Sequence, residues 1–279
     1  MKAKKKAKAA TPRREGIPVT IDMDQLRLSF SAVDTYLRCG MQWKFRYLDG
    51  IKSIPGVALL EGSSHHKAME LNNLSKRDRS VDLKPTALTD IFMDDFRTRV
   101  KAEEAGVDWG DEKEDGIFTR AKTLHVRYIQ DVAPDIHPVE VEKRFELPLD
   151  LCDERGKNSV KVLLVGVADL QVPNIIFDYK TAARSKGQSE VDQSLQLSLY
   201  AYATKAPQVG IIELIKKANP EVGVLTAPRS AMQKQWSLHV VRSVALAIKA
   251  GAFPLAAPNT WGCSARFCGY WSRCRGRFA

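Results

Sequence analysis

Val165-Gly166-Val167-Ala168-Asp169, followed nine residues later by Asp178-Tyr179-Lys180, is the stretch on which the fold turns. Side chains alternate across a strand, so Asp178 and Lys180 share one face while Tyr179 points to the other. The run from Lys161 to Val172 reads as a preceding strand, and Pro173-Asn174 is a turn signal that returns the chain as a hairpin. Such a hairpin sets Asp169 beside Asp178. Val162-Leu163-Leu164-Val165 and Ile175-Ile176-Phe177 are near-continuous apolar runs of the kind buried on both faces. An Asp-x-Lys pair is ordinarily a solvated face, but a buried strand does not end in charges without a partner or a purpose.

Two converging carboxylates repel one another unless a divalent cation lies between them, and Mg²⁺ is typically held by one or two carboxylates with water and substrate phosphate. Phosphodiester hydrolysis needs such a cation to polarise the phosphoryl oxygen and acidify a water, with further positive charge for the developing anion. On this chemistry Asp169 and Asp178 hold the metal and Lys180 serves the water or the anion. Gln196 and Tyr200 lie four apart on an expected helix, Val191 to Ala203, whose Leu195, Leu199 and Tyr202 form an apolar stripe. The Gln196 amide can orient a water or phosphate without adding charge, whereas Tyr200 reads equally well as core.

Taken in order, these motifs resemble those of the PD-(D/E)XK nucleases, in the branch that includes the RecB nuclease domain, AddB and the CRISPR-associated exonucleases with cluster cysteines. The Gly-x-x-x-His, Gly-x-x-Asp, Asp-x-Lys and Gln-x-x-x-Tyr pattern is met by Gly62 to His66, Gly166 to Asp169, Asp178 to Lys180 and Gln196 to Tyr200. The resemblance spans about Leu28 to Cys274. It implies an α/β, restriction-endonuclease-like core, a central mixed β-sheet flanked by helices. It also implies that His66, Asp169, Asp178 and the Tyr179 carbonyl form the Mg²⁺ or Mn²⁺ shell, with Lys180 aiding the nucleophile. His65 adjoins His66 and competes for the ligand role. Glu70 shares a helical face with His66 and reads as a solvated partner. Glu142, in the alternating strand Val139-Glu140-Val141-Glu142, could reach the site from a neighbouring strand.

Four of the five cysteines are split as Cys39 against Cys263, Cys268 and Cys274. This layout resembles the iron-sulfur staple of AddB and the CRISPR-associated exonucleases, and four thiolates suit a four-iron four-sulfur cluster. The chain departs from that pattern in having four residues between Cys263 and Cys268 rather than two, and Gly40 where a proline commonly follows the first cysteine. Zinc would accept the same four sulfurs, and unligated thiols are the third reading. Cys152 lies in a polar turn and reads as a free thiol.

The net charge is +10, but residues 1 to 14 carry seven Lys or Arg and no acid, leaving +3 for the rest. The segment 1–27 is therefore expected to be a disordered basic tail, either a solubility segment or a loose phosphate-binding arm. From Gly262 onward Arg266, Arg273 and Arg275 alternate with Phe267, Tyr270 and Trp271 and no acid intervenes. Arginine with aromatics suits DNA; alternatively the aromatics shield a cluster. No segment is apolar enough to span a membrane, and the basic start lacks the apolar core of a signal peptide. A cytoplasmic setting, bacterial or phage-infected, is expected, and there clustered cysteines favour metal over disulfide.

The expected organisation is a helical amino-terminal part over 28–138, a nuclease core over 139–250, and a linker with a cysteine module over 251–279. Ser31, with Asp34, is expected to cap a helix through Cys39. Further helices are expected at Ser63 to Asn73, Pro85 to Ala105, Gly116 to Val132 and Ala231 to Ala250. Strands are expected at Val139 to Pro148, Ser159 to Val172, Asn174 to Thr181, Val209 to Lys216 and Val222 to Thr226. The implied activity is metal-dependent DNA exonucleolysis in recombination, repair or phage DNA processing. A structure-specific endonuclease and a non-catalytic DNA-end-binding module are the competing readings. A recombinase, annealing protein or helicase is a conceivable partner, and any motor would be another chain because no phosphate-binding Gly-x-x-x-x-Gly-Lys-Ser/Thr loop occurs.

Overall fold

The computed structural model describes residues 25–153 and 155–277, so the expected basic arm over residues 1–14 lies outside the described part. The first element is a strand that begins inside the segment 1–27 expected as a tail: β1 (Leu26–Ser29), with Leu26 and Leu28 fully buried. Helix α1 (Phe30–Arg38) follows directly, capped by Ser29 rather than Ser31. The strand delivers Ser29 in an extended conformation, from which its hydroxyl accepts the Ala32 N–H, as an N-cap requires. Ser31 is already inside the helix, and its carbonyl accepts the Thr35 hydroxyl.

Helix α2 (Gly40–Trp43) runs into a π-helical turn over Lys44–Leu48. Helices α3 (Val57–Arg79), α4 (Pro85–Ala102) and α5 (Glu114–Arg127) form one layer, and α5 continues as a π-helical turn through Val132. Strands β2 (Glu140–Leu151), β3 (Val160–Val172) and β4 (Ile175–Ala182) come next. The expected single helix over 191–203 is two: α6 (Gln188–Asp192) and α7 (Leu195–Thr204). Ser194 breaks it by capping the Leu197 N–H and starting a new helix. Strands β5 (Gln208–Ile215) and β6 (Glu221–Pro228) precede α8 (Ala231–Lys249), which Ser230 and Gln233 open with a capping box.

The described strands form one mixed six-stranded sheet in the order β1-β3-β4-β5-β6, with β2 also on β3. β3 is the axis. Along one edge it pairs antiparallel with β2 from Glu140↔Gln171 to Leu151↔Val160. Along the other it pairs parallel with β1 over Val162 to Val165, and antiparallel with β4 over Leu170 to Val172. β4 and β5 are parallel, and β5 and β6 antiparallel. Helices α3 to α5 cover one face, burying Val141, Leu170, Phe177, Tyr179 and Ile212; α1, α7 and α8 cover the other, over Val162, Leu164, Ala168 and Ile211.

A polar chain crosses the α3–α5 layer. Thr89 Oγ1 lies 3.0 Å from His125 Nδ1, and His125 Nε2 lies 3.2 Å from His65 Nδ1, all three side chains being buried. Burial lowers the His125 pKa to about 4 and that of His65 well below its usual range, with the His125 charge adding to the latter. As the pH falls, the unfolded chain takes up these protons before the folded one does. The network is therefore neutral to stability above the unfolded value, about 6.5, and costs stability as the pH descends from there to about 4. For His125 the loss is on the order of 3 kcal/mol. Urea midpoints measured from pH 7.5 to pH 4.5 should show His125→Gln with a shallower acid decline than wild type; parallel declines would refute this account.

Candidate active site

The β3–β4 ladder forms three rungs from the hairpin, and its last pair is Leu170↔Phe177. The next rung would join Asp169 to Asp178, and there the strands part. The hairpin turn is Pro173-Asn174, with Asn174 in the left-handed region (φ 66) that asparagine tolerates. Both carboxylates are buried, at 4% and 2% exposure. The gap is bridged from β4 by the Tyr179 N–H, which donates to Asp169 Oδ2 at 2.9 Å. From α3, His66 Nδ1 stands 3.2 Å from the same oxygen. His65 instead faces away from the gap, toward His125.

Asp178 and Lys180 share a face and meet: Lys180 Nζ is 2.6 Å from Asp178 Oδ2. At this distance the ammonium makes a charge-assisted contact with the buried carboxylate. Gln196 ties the pair together from α7, accepting from Lys180 Nζ at 2.9 Å and donating to Asp178 Oδ1 at 2.7 Å. Its amide also donates to Tyr200 OH at 3.1 Å, while the Tyr200 ring packs edge-on against Phe145. Desolvation raises the Asp178 pKa, with Asp169 reinforcing it and Lys180 opposing it. For Lys180, burial works against the charge, but Asp178 and then Asp169 outweigh it and the pKa is raised. Asp34, on α1, contributes to that rise, and α1 packs on α7, the helix that carries Gln196.

Tyr179 points to the opposite face. Its hydroxyl accepts from Asn73 Nδ2 at 2.9 Å and lies 2.9 Å from Tyr128 OH, all three side chains being buried. Gly166 has a steric reason: a Cβ there would stand 2.3 Å from Phe145 Cζ. Glu142 lies in register opposite Asp169, between the pairs Val141↔Leu170 and Lys143↔Ala168, with φ 51. Among the described non-glycine residues with positive φ it alone lies within a strand. The facing of β2 and β3 inverts here: Val141 and Leu170 enter the α3–α5 core, whereas Phe145 and Ala168 lie on the opposite face. Glu70 pairs with Lys67.

Glu213 was missed by the sequence reading. It is fully buried beside Lys180 in the β4–β5 register, and it accepts from Ser185 Oγ at 2.7 Å and Lys186 N at 2.9 Å, fixing the loop that leaves β4. A lone acid in the apolar run Ile211-Ile212-Glu213-Leu214-Ile215 was the available signal.

The chemistry of the donor set suits a divalent cation: two buried carboxylates and an imidazole. Among the described residues, however, no group of three or more His, Cys, Asp or Glu is arranged to hold a metal ion. His66 and Lys180 lie against the oxygens a cation would use, so loading one requires these contacts to open. At the far end of α1, Cys39, Cys263, Cys268 and Cys274 line one small pocket with Phe45, Tyr270 and Trp271, and none is disulfide-bonded. Burial, followed by the other cysteines, raises the thiol pKa of Cys274; for Cys268 burial again leads. Cys152 is exposed and apart from them. Arg266 and Arg273 are exposed, while Arg275 donates to the Ala256 carbonyl at 2.7 Å.

Residues 27–275 match the PD-(D/E)XK nuclease superfamily, and the chain belongs to it. No curated protein matches the sequence. Among solved structures, a candidate exonuclease from Eubacterium rectale is similar at TM-score 0.53 and 15% identity, over 85% of this chain and 86% of that one, a likeness of fold. Another, SSO0001, aligns at TM-score 0.35 and 12% identity over 88% and 94% of the two chains, too distant to bear on the fold. Among the described residues no helix is long and apolar enough to cross a membrane.

Tyr179→Phe removes a hydroxyl from a buried three-residue network and leaves Asn73 and Tyr128 short of a partner. A loss of about 1–3 kcal/mol in chemical denaturation is expected; a wild-type midpoint would show the network to be dispensable.

Proposed function

We propose that the protein is a Mg²⁺- or Mn²⁺-dependent deoxyribonuclease, acting as an exonuclease on linear DNA in recombination, repair or phage DNA processing. The observation that supports it most is the parted β3–β4 ladder, where Asp169 and Asp178 face one another with His66 and Lys180 against them. When bound, the cation would polarise the phosphate and acidify a water, held by Asp169, Asp178, His66 and the Tyr179 carbonyl. Lys180, raised in pKa and fixed by Gln196, stays protonated and offers its charge to the developing anion. Gln196 keeps Lys180 and Asp178 in register, and Tyr200 buttresses Gln196. Tyr179 N–H orients Asp169.

The exonuclease mode rests on the family branch. A structure-specific endonuclease would use the same residues. A non-catalytic end-binding module is disfavoured by the complete set of Asp169, Asp178, Lys180 and His66. The four cysteines are proposed to hold a four-iron four-sulfur cluster, with zinc as the alternative; the support is their shared pocket. Arg266 and Arg273 are proposed DNA contacts, with Arg275 bracing the module. A recombinase, annealing protein or helicase in the cytoplasm would be a fitting partner.

With Mg²⁺ or Mn²⁺, loss of linear duplex but not of a closed circle is expected, and chelator should abolish it. Asp178→Ala and Lys180→Ala should each lower the rate at least a hundredfold or so while DNA binding persists; wild-type rates in either would sink the site assignment, and cutting of the circle would favour the endonuclease. Cys274→Ser should lower both thermal stability and visible absorbance of anaerobically purified protein. Identical absorbance would reject the iron-sulfur cluster, and metal analysis would then decide for or against zinc.

A further inference from the structure

The four residues between Cys263 and Cys268 are Ser264-Ala265-Arg266-Phe267, the point at which this chain departs from the cysteine spacing of the proteins it resembles. The structure divides the aromatic residues of this module into two sets. Tyr270 is buried and its hydroxyl donates to the Ile51 carbonyl at 3.0 Å; Trp271 lines the cysteine pocket. Trp261 and Phe267 are turned outward instead, 76% and 55% exposed, with ring centroids 5.2 Å apart at 81°. The Arg266 guanidinium lies over the Phe267 ring, 5.3 Å from its centroid. Leaving two large aromatic rings in water is costly for a module that has its own buried aromatics to spend.

We infer that Trp261, Phe267 and Arg266 form a base-stacking platform for single-stranded DNA, an inference that rests on the nuclease reading above. Single strands are bound sequence-tolerantly by stacking bases on aromatic rings beside cations that meet the phosphates. Charge favours this occupant: the described residues from Gly262 onward contain Arg266, Arg273, Arg275 and Arg277 and no acid. Position favours it too. Helix α1 packs on α7, the helix that carries Gln196, and ends at Cys39 in the pocket shared with Cys263 and Cys268. One helix of nine residues, roughly 13 Å long, therefore links the cleft to the platform's base. A strand entering or leaving the cleft along α1 would lay its bases on Trp261 and Phe267. The lengthened Cys263–Cys268 segment is what supplies Arg266 and Phe267.

The full chain in chelator should bind an oligothymidylate and quench or enhance a 2-aminopurine placed within it, as stacking demands. Trp261→Ala and Phe267→Ala should each weaken binding about tenfold with the salt dependence unchanged, because stacking releases no counterions. Arg266→Ala should lower the salt slope by about 0.7. Trp261→Phe should largely restore affinity, and circular dichroism should be the same in all. Full affinity in the Trp261→Ala/Phe267→Ala double variant, or a 2-aminopurine signal that does not respond to wild type, overturns the platform. Cleavage scored separately in Mg²⁺ keeps the two readings apart: an enzyme that cuts but binds oligothymidylate at full strength in the double variant refutes the platform alone, and a wild type that never cuts refutes the nuclease while its binding still decides the platform.

Discussion

Two carboxylates, Asp169 and Asp178, are held out of water on strands that stop pairing one rung before them. Everything around them can be understood as a response to that charge. Uncompensated burial of an ionised carboxyl is prohibitive, and the structure distributes the compensation over three elements. β4 sends back its own Tyr179 N–H to Asp169, α3 brings His66, and α7 brings Gln196, which grips both Asp178 and Lys180. Even so, desolvation leaves the Asp178 pKa raised. A fully compensated pair would need no cation; an uncompensated one would not fold. The arrangement lies between these limits.

The parting of the strands is itself prepared in the backbone. Where Asp169 lies, β2 carries Glu142 at φ 51 opposite it, and the two strands exchange the faces to which they send side chains. A non-glycine residue in that region costs on the order of 1–2 kcal/mol, and strain of this kind concentrates at functional sites. A regular β2–β3 pair would hold its alternation past Asp169 and feed only one core. With the inversion, β3 anchors α1 and α8 by Val162 and Leu164, and α3 to α5 by Leu170 and Val172. The carboxylates fall at the crossing between the two cores.

Strand alternation made the Asp178–Lys180 face readable, and Pro173-Asn174 made the hairpin readable, because both are local and set by backbone geometry. The mixed sheet flanked by helices was legible for the same reason. What stayed hidden depended on distant partners. β1 has four residues, too few for periodicity, and gains its place by pairing with β3 more than a hundred residues on. That pairing in turn moves the α1 cap from Ser31 to Ser29. Both His65 and His66 lie on α3, and only the motif spacing from Gly62 favoured His66; what occupies His65 was hidden, because its partner His125 and then Thr89 lie on two other helices. Gly40 looked like a defect beside Cys39, yet the Pro254 ring fills the space where its Cβ would be, at 2.6 Å, so the linker supplies a proline where the chain lacks one.

The helix bearing His66 also has to be held at the right height over the sheet, and apolar packing alone leaves that height free to slip. Polar ties at both ends of the helix restrict it. Toward its start, the fully buried Glu61 receives Lys216 Nζ at 2.6 Å from the residue after β5, with Arg120 of α5 at 3.7 Å. Further along, Asn73 donates to the Tyr179 hydroxyl. A buried ion pair is weak evidence for stability, since desolvation offsets much of its attraction. Its geometric demand is strict, however, because a slip of one residue would strand Glu61 without a cation and Tyr179 without its amide. His66 lies between these two ties, five residues from Glu61 and seven from Asn73. The same Tyr179 presents its N–H to Asp169, so the tie that fixes the helix also fixes the oxygen that His66 approaches.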